Sequence, residues 1–219
     1  MNLMRLVLCL VVSFFLAGMG TAQTQEDWRY FISGIDLELF EKGIKEMDAG
    51  ELEDAAKTFS LLTERMPTRF SPYLWLAGIY SQLGDHEKTV EVCNKIRYRF
   101  SIIIRRFGNP VYKNPIYSQF YYTLGAAFFK LGRYREAAAA YERLLKAGNF
   151  KSTAYSNLKK FYPTCGFTPE AFYALVHYQL GIAHVSSGNE EAAMEQYKQL
   201  RKLDEKKAEK LLREIKKPG

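Results

Sequence analysis

"YYTLGAAFFKLGRYREAAAAYERLL", residues 121–145, decides the fold. Tyr121, Leu124 and Phe128 stand three and four residues apart, the step that lines one face of an α-helix. After Gly132 the same step returns in Ala137 and Tyr141. The stretch therefore predicts two helices joined by a turn at Gly132. Gly125 and Ala137 are small where the large residues around them would fill a seam, so the two helices are expected to cross closely there.

The frame recurs along the chain. Residues 177–197 carry His177, Leu180, Gly181 and His184, then Gly188, Ala193 and Tyr197. Residues 73–93 carry Tyr73, Leu76, Ala77 and Tyr80, then Gly84, Thr89 and Cys93. Residues 39–59 carry Leu39, Lys42, Gly43 and Glu46, then Gly50, Ala55 and Phe59, closed by Pro67. This first copy departs most, with Lys42 and Glu46 where apolar residues are usual. The turn glycines at 50, 84, 132 and 188 are 34, 48 and 56 residues apart. Two insertions are expected, of 14 and 22 residues beyond a 34-residue period.

The pattern resembles the tetratricopeptide repeat (TPR) family. That resemblance implies an all-α fold: an α-solenoid of about four helix-turn-helix repeats with two insertions and a C-terminal capping helix. Repeats are expected at about residues 36–69, 70–103, 118–151 and 174–207, with insertions at about 104–117 and 152–173, all within one domain from 23 to 219. Ser71-Pro72, Asn114-Pro115 and Thr168-Pro169 place a capping residue and a proline at expected starts of inner helices. The charged tail from Arg201 to Lys217 reads as a last helix, with a stripe of Leu200, Ala208, Leu211, Leu212 and Ile215 and a polar outer face suited to a cap.

The first residues have a different character. A basic start ending at Arg5, the apolar run Leu6–Gly18 and a small-residue exit to Ala22 predict a secretory signal peptide over 1–22, cut after Ala22. Thirteen apolar residues fall short of the roughly 20 that a bilayer span needs, so no stable membrane span is expected after cleavage. The expectation is an exported protein, periplasmic or secreted. Of the cysteines, Cys93 and Cys165 would remain, too few for a disulfide-built fold.

The formal charge of +7 is unevenly placed. Residues 23–69 hold 11 acidic and 6 basic side chains, net −5, whereas residues 70–219 hold 13 and 24, net +11. Solvated helix faces account for most of this, and a basic side that meets an acidic partner is the alternative. In "IRYRFSIIIRRFGNPVYKNP", residues 96–115, Ile96, Phe100 and Phe107 continue a helical stripe. Arg97, Arg99, Arg105 and Arg106 flank it, with their stems along apolar surface. They are the candidate contacts for an anionic polymer or lipid head group, a reading whose binding would fall steeply with salt. Export argues against nucleic acid as the partner.

Sequence signatures of catalysis are missing: G-x-S-x-G, H-E-x-x-H, C-x-x-C and a phosphate-cradling glycine loop do not occur. His177 and His184, seven residues apart on one helix, lie about 10 Å apart along its axis. That is too far to share a metal, and both read as satisfied core histidines; His86 reads as solvated. No cofactor and no metal are expected. An enzyme acting on cell-wall polymer is the least favoured reading.

The resemblance implies a working surface. In TPR proteins the inner helices line a concave groove that holds a peptide or a partner's helix. Carried over residue by residue, the groove here presents Phe40, Leu74, Tyr122 and Tyr178. One turn on come Ile44, Gly78, Ala126 and Ile182, then Met47, Ser81, Phe129 and Val185. Only Lys130 resembles the basic residues of members that grip a free carboxylate. The expected function is a non-catalytic protein–protein scaffold that buries an apolar or aromatic segment of a partner, in cell-envelope assembly by family analogy. The competing expectation is that the tail or the insertions fill the groove. Tyr155, Phe161, Tyr162 and Phe167 of the second insertion are expected to cover the gap between repeats or to form a contact loop.

Overall fold

Four turns share one hydrogen-bond pattern, and that pattern organises the molecule. The computed structural model describes residues 34–67, 69–107, 115–147 and 169–217. At each turn the glycine N–H reaches back three residues and the next N–H reaches back five: Gly50 to Met47 and Glu51 to Glu46, Gly84 to Ser81 and Asp85 to Tyr80, Gly132 to Phe129 and Arg133 to Phe128, Gly188 to Val185 and Asn189 to His184. These are helix-ending motifs that require a left-handed residue. The four glycines supply it, with φ between +71° and +82°.

The helices that these turns join are, in chain order, α1 (Gly34–Ala49), α2 (Leu52–Arg65), α3 (Ser71–Leu83), α4 (His86–Phe107), α5 (Pro115–Lys130), α6 (Tyr134–Ala147), α7 (Pro169–Ser186), α8 (Glu190–Leu203) and α9 (Glu205–Ile215). They form four antiparallel hairpins, α1/α2, α3/α4, α5/α6 and α7/α8, each packed on the next, with α9 against α7 and α8. Among the described residues there is no strand, and no helix is long and apolar enough to cross a membrane. The fold is the expected all-α solenoid. The signal segment, Cys165 and the four aromatic residues of the second insertion lie outside the described residues.

Position in the stack explains composition. An inner helix packs on its own hairpin partner and on the preceding outer helix, so it must be apolar nearly all round. In α3 eight consecutive residues, Pro72 to Ile79, are buried. An outer helix has one free face and is amphipathic; α2 buries Ala55, Ala56, Thr58, Phe59 and Leu62 and exposes its charges.

The close crossings are complementary in volume. A Cβ built on Gly125 would lie 2.7 Å from Tyr141 Cε1, and one on Gly43 would lie 2.7 Å from Phe59 Cε2. Hairpin α3/α4 carries Ala77 in place of the glycine and the small Cys93 in place of the aromatic, both fully buried. The small Cys93 leaves room for the Cβ of Ala77. Thr89 is also fully buried, and its hydroxyl donates to Asp85 O at 2.9 Å. Glu46, at an expected apolar place, accepts from buried Thr58 Oγ1 at 2.7 Å and lies 3.5 Å from Lys42 Nζ. The odd residues of the first repeat thus satisfy one another.

Helices α5 and α7 start at Pro115 and Pro169, the prolines that the sequence places at starts of inner helices, and α4 runs to Phe107, so helix takes the edges of both expected insertions. Two local details differ from the sequence reading. Ser71 is the first residue of α3; Phe70 precedes it without a side-chain cap. The tail is two helices: α8 extends to Leu203 and includes Leu200, and the chain breaks at Asp204 (φ −158°, ψ 98°) before α9. Asp204 accepts from Lys207 N, because an Asp at this place satisfies a free N–H of the new helix.

Candidate functional site

The inner helices α1, α3, α5 and α7 carry the expected groove residues, and the stack divides these into two groups. Phe40, Met47 and Leu74 are core, with exposures of 4%, 2% and 4%. The Phe40 ring meets Phe59 edge-on at 5.4 Å and Trp75 edge-on at 6.0 Å, and Phe59 stacks on Trp75 at 5.6 Å. These three residues therefore do not line an open surface. The frame that assigned them describes one helix, whereas Phe40 is covered by Phe59 of its own hairpin and by Trp75 of the next. Gly78 is buried too.

Ile44, Tyr122, Phe129, Tyr178, Ile182 and Val185 are half-buried. Tyr122 packs on Tyr141 at 6.3 Å and on Phe172 at 5.4 Å, and so joins hairpins α5/α6 and α7/α8. Burial holds its hydroxyl above the usual phenol range, against a hydrogen bond with Gln179. Phe129, near the end of α5, meets Tyr134 edge-on at 5.4 Å. Tyr178, Ile182 and Val185 pack against a second, smaller core with Ala208 and Leu211 of α9. The capping helix thus covers the fourth hairpin's share of the inner face, while Ile44 and Phe129 stay apart from it.

The basic candidates divide by description. Arg97 on α4 is exposed and close enough to Glu136 of α6 to lower that carboxyl's pKa, after the larger effect of Arg133. Arg99, Arg105 and Arg106 lie on the same helix, and their side chains are outside the described residues.

One feature escaped the sequence reading. Between α6 and the turn of the fourth hairpin lies a cleft of about 320 Å³, lined by Arg135, Ala138, Ala139, Glu142, His184, Ser187 and Asn189. His184 is buried, and its Nε2 stands 3.6 Å from Glu142 Oε1. That is too long for a hydrogen bond. Burial lowers its pKa below 6.5, with Glu142 opposing. The small residues Ala138 and Ala139 make the room, a signal available only once the hairpins are stacked. His177 is satisfied as expected: its Nδ1 lies 2.8 Å from Gln196 Oε1, and burial lowers its pKa. His86 differs from expectation. It is half-buried, and its Nδ1 has no hydrogen-bond partner among the described residues. Among the described residues no three His, Cys, Asp or Glu side chains converge as a metal would require.

Two family models, both described as Tetratricopeptide repeat, match the chain, one over residues 118–148 and the other over 70–96 and 174–207. No curated protein matches it. The matched segments fall on the second, third and fourth hairpins, and the first hairpin repeats their turn geometry bond for bond. The chain carries tetratricopeptide repeats, matched over residues 70–96, 118–148 and 174–207.

Proposed function

We propose that this protein is a non-catalytic scaffold that holds an apolar or aromatic segment of another protein on its inner face, in an exported compartment. Repeats of this family support a protein–protein interaction role in general. The observation that carries the finer reading is the pair Ile44 and Phe129, apolar side chains on inner helices that the stack leaves half-buried. A partner side chain that covers such residues removes apolar area from water at roughly 25 cal/mol per Å². Aromatic anchors in a surrounding apolar patch are the usual carriers of interface energy.

Tyr122 is a poor probe of this reading, because its ring is part of the packing between hairpins. Phe129→Asp and Ile44→Asp test it instead. Both variants should melt cooperatively and lose the partner in a pull-down from the native compartment. Retained capture by both folded variants would reject the groove. Export is tested separately: the mature protein from its native host should begin at Gln23.

A further inference from the structure

Three hairpins place a glycine where the helices cross, and each glycine leaves a notch. In the first and third the notch is filled from within the hairpin, by Phe59 over Gly43 and by Tyr141 over Gly125. The fourth is different. A Cβ on Gly181 would collide with Leu211 Cδ2 and lie 2.9 Å from Cδ1 and 3.2 Å from Cγ, so the nearest side chain belongs to α9. Tyr197, which stands where Phe59 and Tyr141 stand in their repeats, is only half-buried beside it.

The attachment of α9 is local. Its buried contacts form a small cluster of Ala174, Leu200, Ala208 and Leu211, separate from the main core. The helix has 11 residues, and helices shorter than about 12–15 residues are marginal unless packed. Asp204 is the one non-helical residue between α8 and α9. The outward residues Lys206, Glu209, Lys210 and Arg213 are exposed.

We propose that α9 is a displaceable, autoinhibitory occupant of the fourth hairpin's inner face. It is held there by the Leu211 knob in the Gly181 notch. When α9 lifts, Tyr178, Ile182 and Val185 become available to a partner segment of the same chemistry, a short amphipathic helix with a leucine knob, and Tyr197 refills the notch when the face is empty. This rests on the reading of the inner face as the binding surface. It adds that the fourth hairpin's part of that surface is regulated by competition within the chain. Low local stability is what such an element needs. Tethering gives α9 an effective concentration on the order of millimolar over a free competitor, so the intact protein should resist weak ligands.

Hydrogen exchange on the full-length protein is the first test. The α9 amides should exchange at least tenfold faster than those in the middle of α7 and α8; exchange in step with them would make α9 a fixed cap and overturn the proposal. The second test uses a fluorescein-labelled peptide of residues 204–217 as probe. Leu211→Asp should bind it at least tenfold more tightly than the wild type, and Leu211→Asp/Gly181→Val should not bind it. Equal binding to wild type and Leu211→Asp, or none to Leu211→Asp, would overturn the proposal. Loss of partner capture on changing Phe129, which lies on another hairpin, reports on the inner-face reading independently.

Discussion

Adding one methyl group at Gly125 tests the packing logic of the repeat. The Cβ of Gly125→Ala would sit 2.7, 2.9 and 3.1 Å from Tyr141 Cε1, Cδ1 and Cζ. Ordinary contact begins near 3.4 Å, so the ring must retreat by about 0.7 Å at its nearest atom. Tyr141 has no exposed surface, and Tyr122 packs on it, so retreat means moving α6 against α5. Overpacking of this kind costs about 1–3 kcal/mol. Alanine recovers about 1 kcal/mol of helix propensity. With backbone displacement placing the clash in the upper part of its range, the net loss is about 1–2 kcal/mol, or about 2–8 °C in Tm for a chain of this size. Urea and thermal melts of the wild type, Gly125→Ala, Tyr141→Leu and the double variant measure it. The double variant should lose about 1 kcal/mol less than the sum of the singles. A Gly125→Ala protein more stable than the wild type, or strictly additive singles, would refute the reasoning.

Three other outcomes follow from the same contacts. Burial pushes the Cys93 thiol up to about 12, so a thiolate-selective reagent at pH 8 should label Cys93 only after denaturation, and Cys93→Ser should cost about 1–3 kcal/mol by burying a hydroxyl. His177 and His184 have folded pKa values below 6.5, lowered chiefly by burial; the unfolded chain therefore binds their protons first, and stability present above pH 6.5 should fall as the pH drops from 6.5 towards 5. Replacing His184 by Phe should flatten that slope in pH-dependent urea melts. Asp204→Ala removes the side chain that caps α9 and should cost about 0.5–2 kcal/mol locally, seen as faster exchange in α9 with α1–α6 unchanged.

Much of this architecture is legible in the sequence because its determinants are local. Gly50, Gly84, Gly132 and Gly188 each sit where a left-handed backbone is required, and each is flanked by runs of helical period. The groove is less legible, because whether an inner-helix residue is surface or core depends on side chains of other helices as well as on its own frame. Phe40 illustrates this: Trp75, on the next hairpin, covers it. The break at Asp204 was hidden by an apolar stripe that continues in register across it from Leu200 to Ala208. The Asp204–Lys207 cap is the signal that could have revealed it. Helix α9 itself was expected as a cap. That its Leu211 enters the Gly181 notch could not be read from a pattern in which Tyr197 stands at the filling position.

The central claim is that the inner face receives a partner protein. Site-resolved photocrosslinking in the native compartment tests it most directly, with a photoreactive residue at Phe129 on the inner helix α5 and, as comparison, at exposed Lys95 on the outer helix α4. The account predicts a discrete protein adduct from position 129 and none from position 95. Adducts from position 95 alone, or the same adducts from both positions, would contradict it.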